Sequence, residues 1–558
     1  MQAFIRFSSL YFFLFLLFIS FAGAQEELID WHQQGNNSEF PTGISSAEWY
    51  ATTALPPARK VVVAILDSGV DVDHPDLQPN IWINPDEVGG NQKDDDGNGY
   101  VDDIHGWNFL GGPDGKSVVK ESYEATRVYA KGRAKWENID PGKIKAGDKK
   151  EYEKYLELKE FVESKREAAE IRIGDAKVLE ENVMSSLMAA KKELKVDSLD
   201  VRILETSDNE EVQIAAKIIR SVEEQGVVVE SIDWLIDIAR NQFKEQIRDQ
   251  EDDLYYHYNP DYNSRTGFGD TNNVLNNRHY GNNDVDGEFS NHGTHVAGIV
   301  GAVRDNGIGM NGIADHVAIM SIRVVPDGDE RDQDVANGII YAVDNGAEVI
   351  NMSFGKGYSP EKKLVDNAMK YASKKDVLLV LGAGNESTDV DAEDRFPNDT
   401  YLGKSKPTIK NLISVGALSP DGGEASVAEF SNYGKKGVDV FAPGVYIYST
   451  TPDSTYNYLS GTSMAAPVVS GAAALIRSRY PKLSAAHVKD ILIKSAHKLP
   501  AEVIQPGTYE KISSSQLSVS GGSVDLPAAM KLAAQTKGKR KASSMPSEYV
   551  KPRSGSKT

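Results

Sequence analysis

Five short runs of apolar, largely β-branched residues constrain the fold of this chain more than any other feature. The first run, at 61–66, reads VVVAIL, and similar runs recur at 317–325, 348–354, 377–382 and 412–415. Segments with a helical pattern lie between them, at 334–345 and 362–374. A strand that is apolar on both faces is typical of a parallel sheet covered by helices. The sequence therefore predicts an α/β fold, in which a doubly wound, mostly parallel sheet has helices on both faces.

One long segment, residues 148–253, departs from this pattern. It contains no proline and has a large excess of acidic over basic side chains. Its apolar residues recur at helical spacing in two groups: Ile214, Ala215, Ile218 and Val222, then Ile232, Leu235, Ile236, Ala239 and Phe243. We therefore predict an all-helical insertion, folded as a hairpin or a small bundle. Two roles are open at this point: a lid or folding aid for the main domain, and an independent docking arm.

The first 24 residues have the features of an export signal. Arg6 is the only charge before an apolar run that ends in Ala22-Gly23-Ala24, which predicts cleavage after Ala24. Cleavage would leave an extracellular or periplasmic protein without a stable membrane span, whereas the alternative is an uncleaved anchor helix. We interpret residues 25–57 as a short lead-in, 58–534 as the main domain and 535–558 as a basic tail, which we expect to be disordered.

Composition excludes several classes of function. The 558 residues include 61 Lys plus Arg against 82 Asp plus Glu, a net charge of −21. Such a charge argues against a nucleic-acid partner, because the phosphates would be repelled. The chain has no cysteine, which rules out disulfides, thiolate zinc sites and cysteine nucleophiles.

Three short motifs carry residues that are capable of chemistry. Asp67 directly follows the first apolar run, His292 opens HGTHVAG, and Ser463 lies in GTSMAAP. Each motif alone is ambiguous, since aspartates are common in turns and serines cap helices. A zinc peptidase would need a glutamate beside the first histidine, where this chain has Gly293. In chain order the three residues read Asp, His and Ser, which is the order of the subtilisin triad.

On these motifs, and on Asn385 at the end of LGAGN, the chain resembles the subtilisin-like serine peptidases over about 61–115 and 282–534. The resemblance implies a subtilisin-like fold and a secreted serine endopeptidase that hydrolyses polypeptides through an acyl-enzyme. It implies that Asp67, His292 and Ser463 form the triad and that Asn385 belongs to the oxyanion hole. The alternatives are a catalytically silent binding scaffold and a peptide cyclase or ligase on the same fold.

The same resemblance implies where substrate binds. Ser353, Phe354 and Gly355 match the edge segment that pairs with an extended peptide. The small size of Gly355, Gly382 and Gly384 would leave space for a substrate side chain in the primary pocket. His295, three residues after His292, is expected to be a packed structural histidine without a catalytic role.

An acidic loop at 94–103 suggests a metal site. Compared with an EF-hand, Asp94, Asp96, Asn98 and Asp102 occupy liganding positions and Gly99 the turn, but His105 stands where a bidentate glutamate belongs. Closely packed carboxylates repel one another, and a hard cation relieves this repulsion. We therefore expect structural calcium here and no organic cofactor; the alternative is a solvated acidic loop. The resemblance adds Asp76 as a calcium ligand.

Two features depart from the family pattern. Residues 25–57 are too few for the inhibitory prodomain that many subtilases carry. The distance from Asp67 to His292 is also unusual, because the family has a few dozen residues where this chain has the insertion.

Overall fold

A computed structural model describes residues 29–35, 41–52, 57–112, 114–194, 201–224, 226–266, 278–402, 409–538 and 540. The predicted export signal and most of the predicted tail lie outside the described residues. The chain divides into two compact units. The sheet unit comprises Ile29–Glu124 and the chain from Asn263 onward, and the described residues of the helical unit lie within Ala125–Tyr262, with gaps at 195–200 and 225.

The described residues of the sheet unit contain thirteen strands. In chain order they are β1 Val61–Asp67, β2 Gly106–Asn108, β3 Val317–Arg323, β4 Val349–Met352, β5 Leu378–Gly382, β6 Leu412–Leu418, β7 Val440–Pro443, β8 Ile447–Thr451, β9 Thr455–Leu459, β10 His497–Lys498, β11 Glu502–Ile504, β12 Lys511–Ser513 and β13 Gly522–Ser523. Nine of them form one sheet in the order β10-β13-β7-β6-β5-β4-β1-β3-β2. The other four form two antiparallel hairpins, β8-β9 and β11-β12.

The large sheet is parallel except at β10, which pairs antiparallel with β13. β1 lies between β3 and β4, so that Val61 pairs with Val317 and Val63 with Val349. The five predicted runs are the five central strands, and the predicted α/β class is confirmed. The short strands β2, β7, β10 and β13 were not predicted, because two to four residues are too few for a hydrophobic period to show.

The described chain also contains twelve α-helices. They are α1 Ser46–Thr52, α2 Glu124–Trp136, α3 Lys149–Leu194, α4 Val201–Glu205, α5 Glu210–Glu223, α6 Ile232–Asp252, α7 Asn291–Gly301, α8 Asp332–Asp344, α9 Lys362–Lys374, α10 Thr462–Arg479, α11 Ala485–Lys494 and α12 Leu526–Gln535. None of these helices combines the length and the apolar character that a membrane span requires.

The helical unit has its own core. The C-terminal half of the 46-residue α3 packs with α4, α5 and α6 around buried residues such as Leu187, Ile219 and Phe243. An all-helical insertion is therefore confirmed. Eight of the nine apolar residues that were predicted to face its core are buried, but Ile214 is 42% exposed because it lies on the outer face of α5.

A buried charge cluster joins distant parts of the sheet unit. The Glu348 carboxylate, just before β4, forms ion pairs with Arg59, Arg477 and Arg540. Burial alone would raise the pKa of Glu348, but the three guanidinium groups outweigh burial and lower it to about 2. Arg540 thus packs into the sheet unit, although it lies within the tail predicted at 535–558, most of which is outside the described residues.

The chain leaves and re-enters the sheet unit at adjacent points. Ser264 Oγ, just after the helical unit, donates a hydrogen bond of 2.6 Å to Glu121, which lies just before it. Arg265 continues this junction with a buried ion pair to Asp334 in α8. The two ends of the insertion are therefore held together by contacts within the sheet unit itself.

Candidate active site

Asp67 and His292 form a hydrogen-bonded pair at the carboxyl end of β1. His292 Nδ1 lies 2.7 Å from Oδ1 of Asp67, and the Asp67 side chain is 1% exposed. The Ser68 N–H donates to the same oxygen at 2.8 Å, which fixes the carboxylate. Burial alone would lower the pKa of His292, but the charge of Asp67 and its hydrogen bond outweigh burial and raise the pKa above 6.5. The carboxylate therefore orients the ring and favours its protonated form.

Gly293 permits this pairing because it brings α7 close to the turn after β1. A Cβ at residue 293 would stand 2.1 Å from the carbonyl oxygen of Gly69 and 3.1 Å from Cβ of Asp67. Both distances are shorter than ordinary contacts between carbon and oxygen or two carbons. Any larger residue would push the helix, and with it His292, away from Asp67.

Ser463 lies in the first turn of α10 and is partly exposed. Its hydroxyl donates a 3.2 Å hydrogen bond to the main-chain oxygen of Ser353 rather than to His292. Ser353 Oγ in turn donates to the main-chain oxygen of Ser463 at 2.8 Å. The two segments are thus joined twice, and a rotation about the Cα–Cβ bond would free the Ser463 hydroxyl.

Asn385 lies in the loop after β5 with its side-chain amide in a fixed orientation. Its Oδ1 accepts hydrogen bonds from the Thr462 N–H at 2.9 Å and from Thr462 Oγ1 at 3.0 Å. A Cβ at Gly461 would stand 3.4 Å from Asn385 Nδ2 and 3.5 Å from the Ser463 nitrogen. Two N–H donors therefore border one small space, which the lack of a side chain at residue 461 keeps open. Such paired donors are the requirement for holding an oxyanion.

Sequence reasoning missed the polar contacts that support the Ser463 segment. Asn351 in β4 donates to Ser353 Oγ at 2.9 Å, and Ser470 in α10 donates to Asn351 Oδ1 at 2.8 Å. Asn351 and Ser470 are both fully buried. An asparagine within an otherwise apolar buried strand is the one sequence signal that could have identified this network.

A cavity of about 450 Å³ lies beside these residues, with Phe354, Gly355 and Gly382 in its lining. The predicted Gly384 does not line it; a Cβ there would meet Asn432 Nδ2 at 2.3 Å, so this glycine makes room for Asn432. Arg395 lines the cavity as well and was not predicted. The lining of the cavity is consequently more polar than expected from the three glycines that were predicted to form it.

The acidic loop brings together a different set of carboxylates from the one predicted. Ligand atoms of Glu87, Asp96 and Asp103 lie within 4.8 Å of one another. Asp94 and Asp102 accept hydrogen bonds from main-chain N–H groups of the loop, and the Asn98 amide donates to Asp96 and Asp103. Of the residues predicted by the EF-hand comparison, only Asp96 belongs to the cluster. The carboxylates of Asp94 and Asp102 do not reach it, because they accept hydrogen bonds from main-chain N–H groups.

Glu87 and Asp103 fit a hard cation. Asp103 is fully buried, and burial raises its pKa to about 6 although Tyr341, Asn98 and Asn84 donate hydrogen bonds to it. Glu87 Oε2 is buried and has no hydrogen-bond partner among the described residues. Three carboxylates at close range, one with an unpartnered buried oxygen, form the all-oxygen donor set that calcium prefers.

Asp76 lies at a separate place. Its fully buried carboxylate accepts hydrogen bonds from Asn306 at 2.7 Å and from the Met310 N–H and Tyr456 hydroxyl at 3.3 Å. None of these partners belongs to the acidic loop.

His295 is fully buried as well, and its Nε2 contacts the main-chain oxygens of residues 447 and 457 in β8 and β9. Burial lowers the pKa of His295 to about 3, which agrees with the structural role expected for it.

Comparison with known proteins agrees with this geometry. The model of the subtilase family matches residues 58–169 and 177–522, which includes most of the helical unit. Subtilisin DY of Bacillus licheniformis is 41% identical over 211 residues, 37% of this chain and 71% of that protein. Thermitase of Thermoactinomyces vulgaris is 38% identical over 219 residues, 39% of this chain and 70% of that protein. A thermophilic serine proteinase of Bacillus sp. (strain AK1) is 41% identical over 199 residues, 35% of this chain and 45% of that protein.

The family match covers well over half of the chain, and one of the matched relatives is a serine proteinase by name. The parallel sheet, the aspartate–histidine pair at its carboxyl edge and the serine at the start of α10 are consistent with this match. The chain belongs to the subtilase family of serine peptidases.

Proposed function

We propose that this chain is an exported serine endopeptidase that cleaves polypeptides through an acyl-enzyme, with Ser463 as nucleophile and His292 as general base. The observation that carries the proposal is the Asp67–His292 hydrogen bond of 2.7 Å. A serine hydroxyl is a weak nucleophile at neutral pH and needs a base to accept its proton. A histidine of raised pKa, oriented by a buried carboxylate, is such a base.

The reaction begins when the Ser463 hydroxyl leaves the Ser353 oxygen and donates to His292 Nε2. Hydrogen bonds of this kind are commonly loose in the free enzyme and tighten when substrate binds. As the serine oxygen attacks the carbonyl carbon, His292 accepts the proton and Asp67 stabilises the resulting imidazolium. His292 then donates this proton to the leaving amine. In the second half of the reaction, water attacks the acyl-enzyme while His292 accepts its proton, and His292 then returns a proton to the Ser463 oxygen.

The carbonyl oxygen of the substrate gains negative charge during the attack. The space beside Gly461 would receive this oxygen, because Asn385 Nδ2 and the Ser463 N–H both border it. Fixed donors in such a place stabilise the transition state without having to reorient. Thr462 supplies this fixation by holding Asn385 Oδ1 with two hydrogen bonds.

Two substitutions test the nucleophile and the base. Ser463→Ala and His292→Ala should each abolish peptide hydrolysis and labelling by an active-serine phosphonate, without a change in thermal unfolding. Ser373→Ala, at an exposed position of α9, is the matched control and should behave like the parent. Hydrolysis well above background in folded Ser463→Ala protein would refute the assignment. Analysis of the products distinguishes the alternatives: ligation or cyclisation in place of hydrolysis indicates transfer, and an unlabelled, inactive parent indicates a scaffold.

Export is the second part of the proposal and rests on residues 1–24. Expression of the whole chain in a bacterial host, followed by N-terminal sequencing of the exported protein, should give a mature chain that begins at Gln25. An intact N-terminus in the membrane fraction would indicate an anchor instead.

We also propose that Glu87, Asp96 and Asp103 hold a structural calcium ion. The ion would neutralise three carboxylates that otherwise repel one another, and would stabilise only the folded loop. In the inactive Ser463→Ala background, calcium should raise the midpoint of thermal unfolding and chelation should lower it. Asp96→Asn with Asp103→Asn should remove this response. Asp94→Asn should retain it, because Asp94 faces main-chain N–H groups; the opposite result would place the ion at the EF-hand positions.

A further inference from the structure

Arg395 crosses the cavity beside the proposed active site. Its Nη2 donates a 3.3 Å hydrogen bond to the Gly355 carbonyl and lies 2.7 Å from Glu386 Oε1. The same nitrogen would stand 3.9 Å from a Cβ at Gly355 and 3.2 Å from a Cβ at Gly384. The guanidinium therefore connects two opposite segments, the one after β4 and the one after β5, and occupies space between their glycines.

The position of Arg395 is fixed by a buried partner. Glu386 Oε2 accepts a 2.6 Å hydrogen bond from Asn432, which is fully buried. Asn432 also accepts hydrogen bonds from the N–H groups of Glu386 and Thr388 and donates to the Ala383 carbonyl. One asparagine thus holds the loop that contains both Asn385 and the carboxylate that anchors the arginine.

Two donors of Arg395 are left for a ligand. Its Nε and Nη1 make no hydrogen bond to any residue of the described chain, and neither atom is buried. The Arg395 side chain is 24% exposed, so these atoms are accessible from the cavity. These two groups lie on different sides of the guanidinium, and each can donate a charge-assisted hydrogen bond to a carboxylate, which is stronger than a bond to a neutral amide.

The other charged groups of the cavity do not oppose such binding at this point. Asp391 is engaged by the main-chain N–H groups of Lys436 and Gly437. Asp399, half-buried in the same lining, accepts a hydrogen bond of 3.1 Å from Thr400 Oγ1. Glu393, Asp394 and Lys436 are exposed, so solvent screens their charges. Glu386 and the Gly355 carbonyl engage Nη2 of Arg395, and its Nε and Nη1 remain available to a ligand.

We propose that Arg395 is a specificity-determining residue that selects an acidic side chain, glutamate or aspartate, on the amino side of the cleaved bond. This inference rests on the proposed function. The cavity lining begins at Phe354 and Gly355, next to the Ser353 oxygen that the Ser463 hydroxyl contacts. Gly382 in the lining lies against Thr462, so a substrate residue whose carbonyl occupied the space beside Gly461 would have this cavity next to its side chain. Arg395 repels a lysine or arginine there and leaves less room for a large aromatic ring.

The test compares peptide substrates that differ only at the residue before the cleaved bond, with Glu, Gln, Ala, Phe or Lys. For the parent we expect kcat/KM for Glu to exceed that for Gln by roughly 10-fold to 100-fold, the range of a hydrogen bond to a charged group. Arg395→Ala should abolish this preference, because the free Glu386 then faces the substrate, and should raise the rate with Phe. Lys363→Ala, at an exposed position of α9 outside the cavity lining, should keep the parent's preference.

A second variant keeps the test decisive if Arg395→Ala does not fold. Glu386→Gln removes the competing carboxylate and should raise the Glu-to-Gln ratio several-fold. A parent that prefers Lys or Phe, or a ratio that neither variant changes, would overturn the role of Arg395. The failure of the proposed function is distinguishable from this result: with that failure, the Ala substrate is not cleaved and Ser463 is not labelled.

Discussion

The orientation of Asn385 by Thr462 leads to a quantitative prediction. Thr462 is 2% exposed, and its hydroxyl donates to Asn385 Oδ1 and accepts from the Gly384 N–H, both at 3.0 Å. Thr462→Val conserves the shape of the side chain and removes both of these bonds. The Thr462 N–H still holds Oδ1 at 2.9 Å, so the amide loses one of two constraints.

A typical hydrogen bond contributes about 1 kcal/mol net. If the lost bond acts by orienting the oxyanion donor, kcat should fall roughly fivefold while KM stays constant. Asn385→Ala removes the donor itself, for which a loss of roughly 10²–10³ in kcat is expected. On the Asn385→Ala background, Thr462→Val should then have no further effect larger than about twofold, because no amide is left to orient.

The assay is steady-state hydrolysis of a peptide substrate by the parent, the two single variants and the double variant, with enzyme concentrations from active-site titration. A fivefold fall in kcat on both backgrounds would refute the reasoning. Such a result would mean that Thr462 acts through the stability of the loop, since the Gly384 N–H loses its acceptor in either case.

Three further predictions concern other parts of the molecule. Asp67→Asn should lower kcat by about 10⁴ and move the acid limb of the kcat/KM profile to lower pH, because the raised pKa of His292 depends on Asp67; a limb that moves to higher pH would contradict this origin. Glu348→Gln, in an inactive background, should lower the free energy of unfolding in urea by about 3 kcal/mol at pH 7, because the pKa of Glu348 is about 2 when folded and 4.5 when unfolded. That difference should shrink as pH falls from 4.5 towards 2, and a constant difference would refute it. Replacement of residues 125–262 by a short Gly/Ser linker should leave hydrolysis of small peptides unchanged, because the chain leaves and re-enters the sheet unit at adjacent points; faster cleavage of folded proteins would identify a screening lid, and loss of soluble enzyme a folding aid.

The central strands, and the positions of the three proposed catalytic residues at the ends of elements, were predictable because their signals are local. A strand buried on both faces must be apolar throughout, and Asp67, His292 and Ser463 each lie in a short motif at an element boundary. The residues that we propose to tune the site were not predictable. Arg395 reaches the cavity only through the fold, from a loop with no motif of its own. Asn432 acts through residues about fifty positions away.

The acidic loop shows a different limit. A comparison with EF-hand spacing assumes that alternate side chains point to one centre. In this loop Asp94 and Asp102 instead satisfy nearby main-chain N–H groups, and Glu87, which lies outside the motif, takes part in the cluster. Sequence spacing can identify a region rich in carboxylates, but turn geometry decides which of them meet.

The pairing of β1 with β3 has a consequence for how the chain folds. Val61 meets Val317 only after the whole helical unit has been synthesised, so the centre of the sheet is a contact of very high sequence separation. Such contacts make folding slow. The helical unit has its own core, and Glu121 meets Ser264 where the chain returns. If this unit folds first, it roughly halves the length of flexible chain that β1 must close, which saves about 0.6 kcal/mol of loop entropy. A folded helical unit would thereby shorten the flexible chain between β1 and β3 and favour their pairing during synthesis.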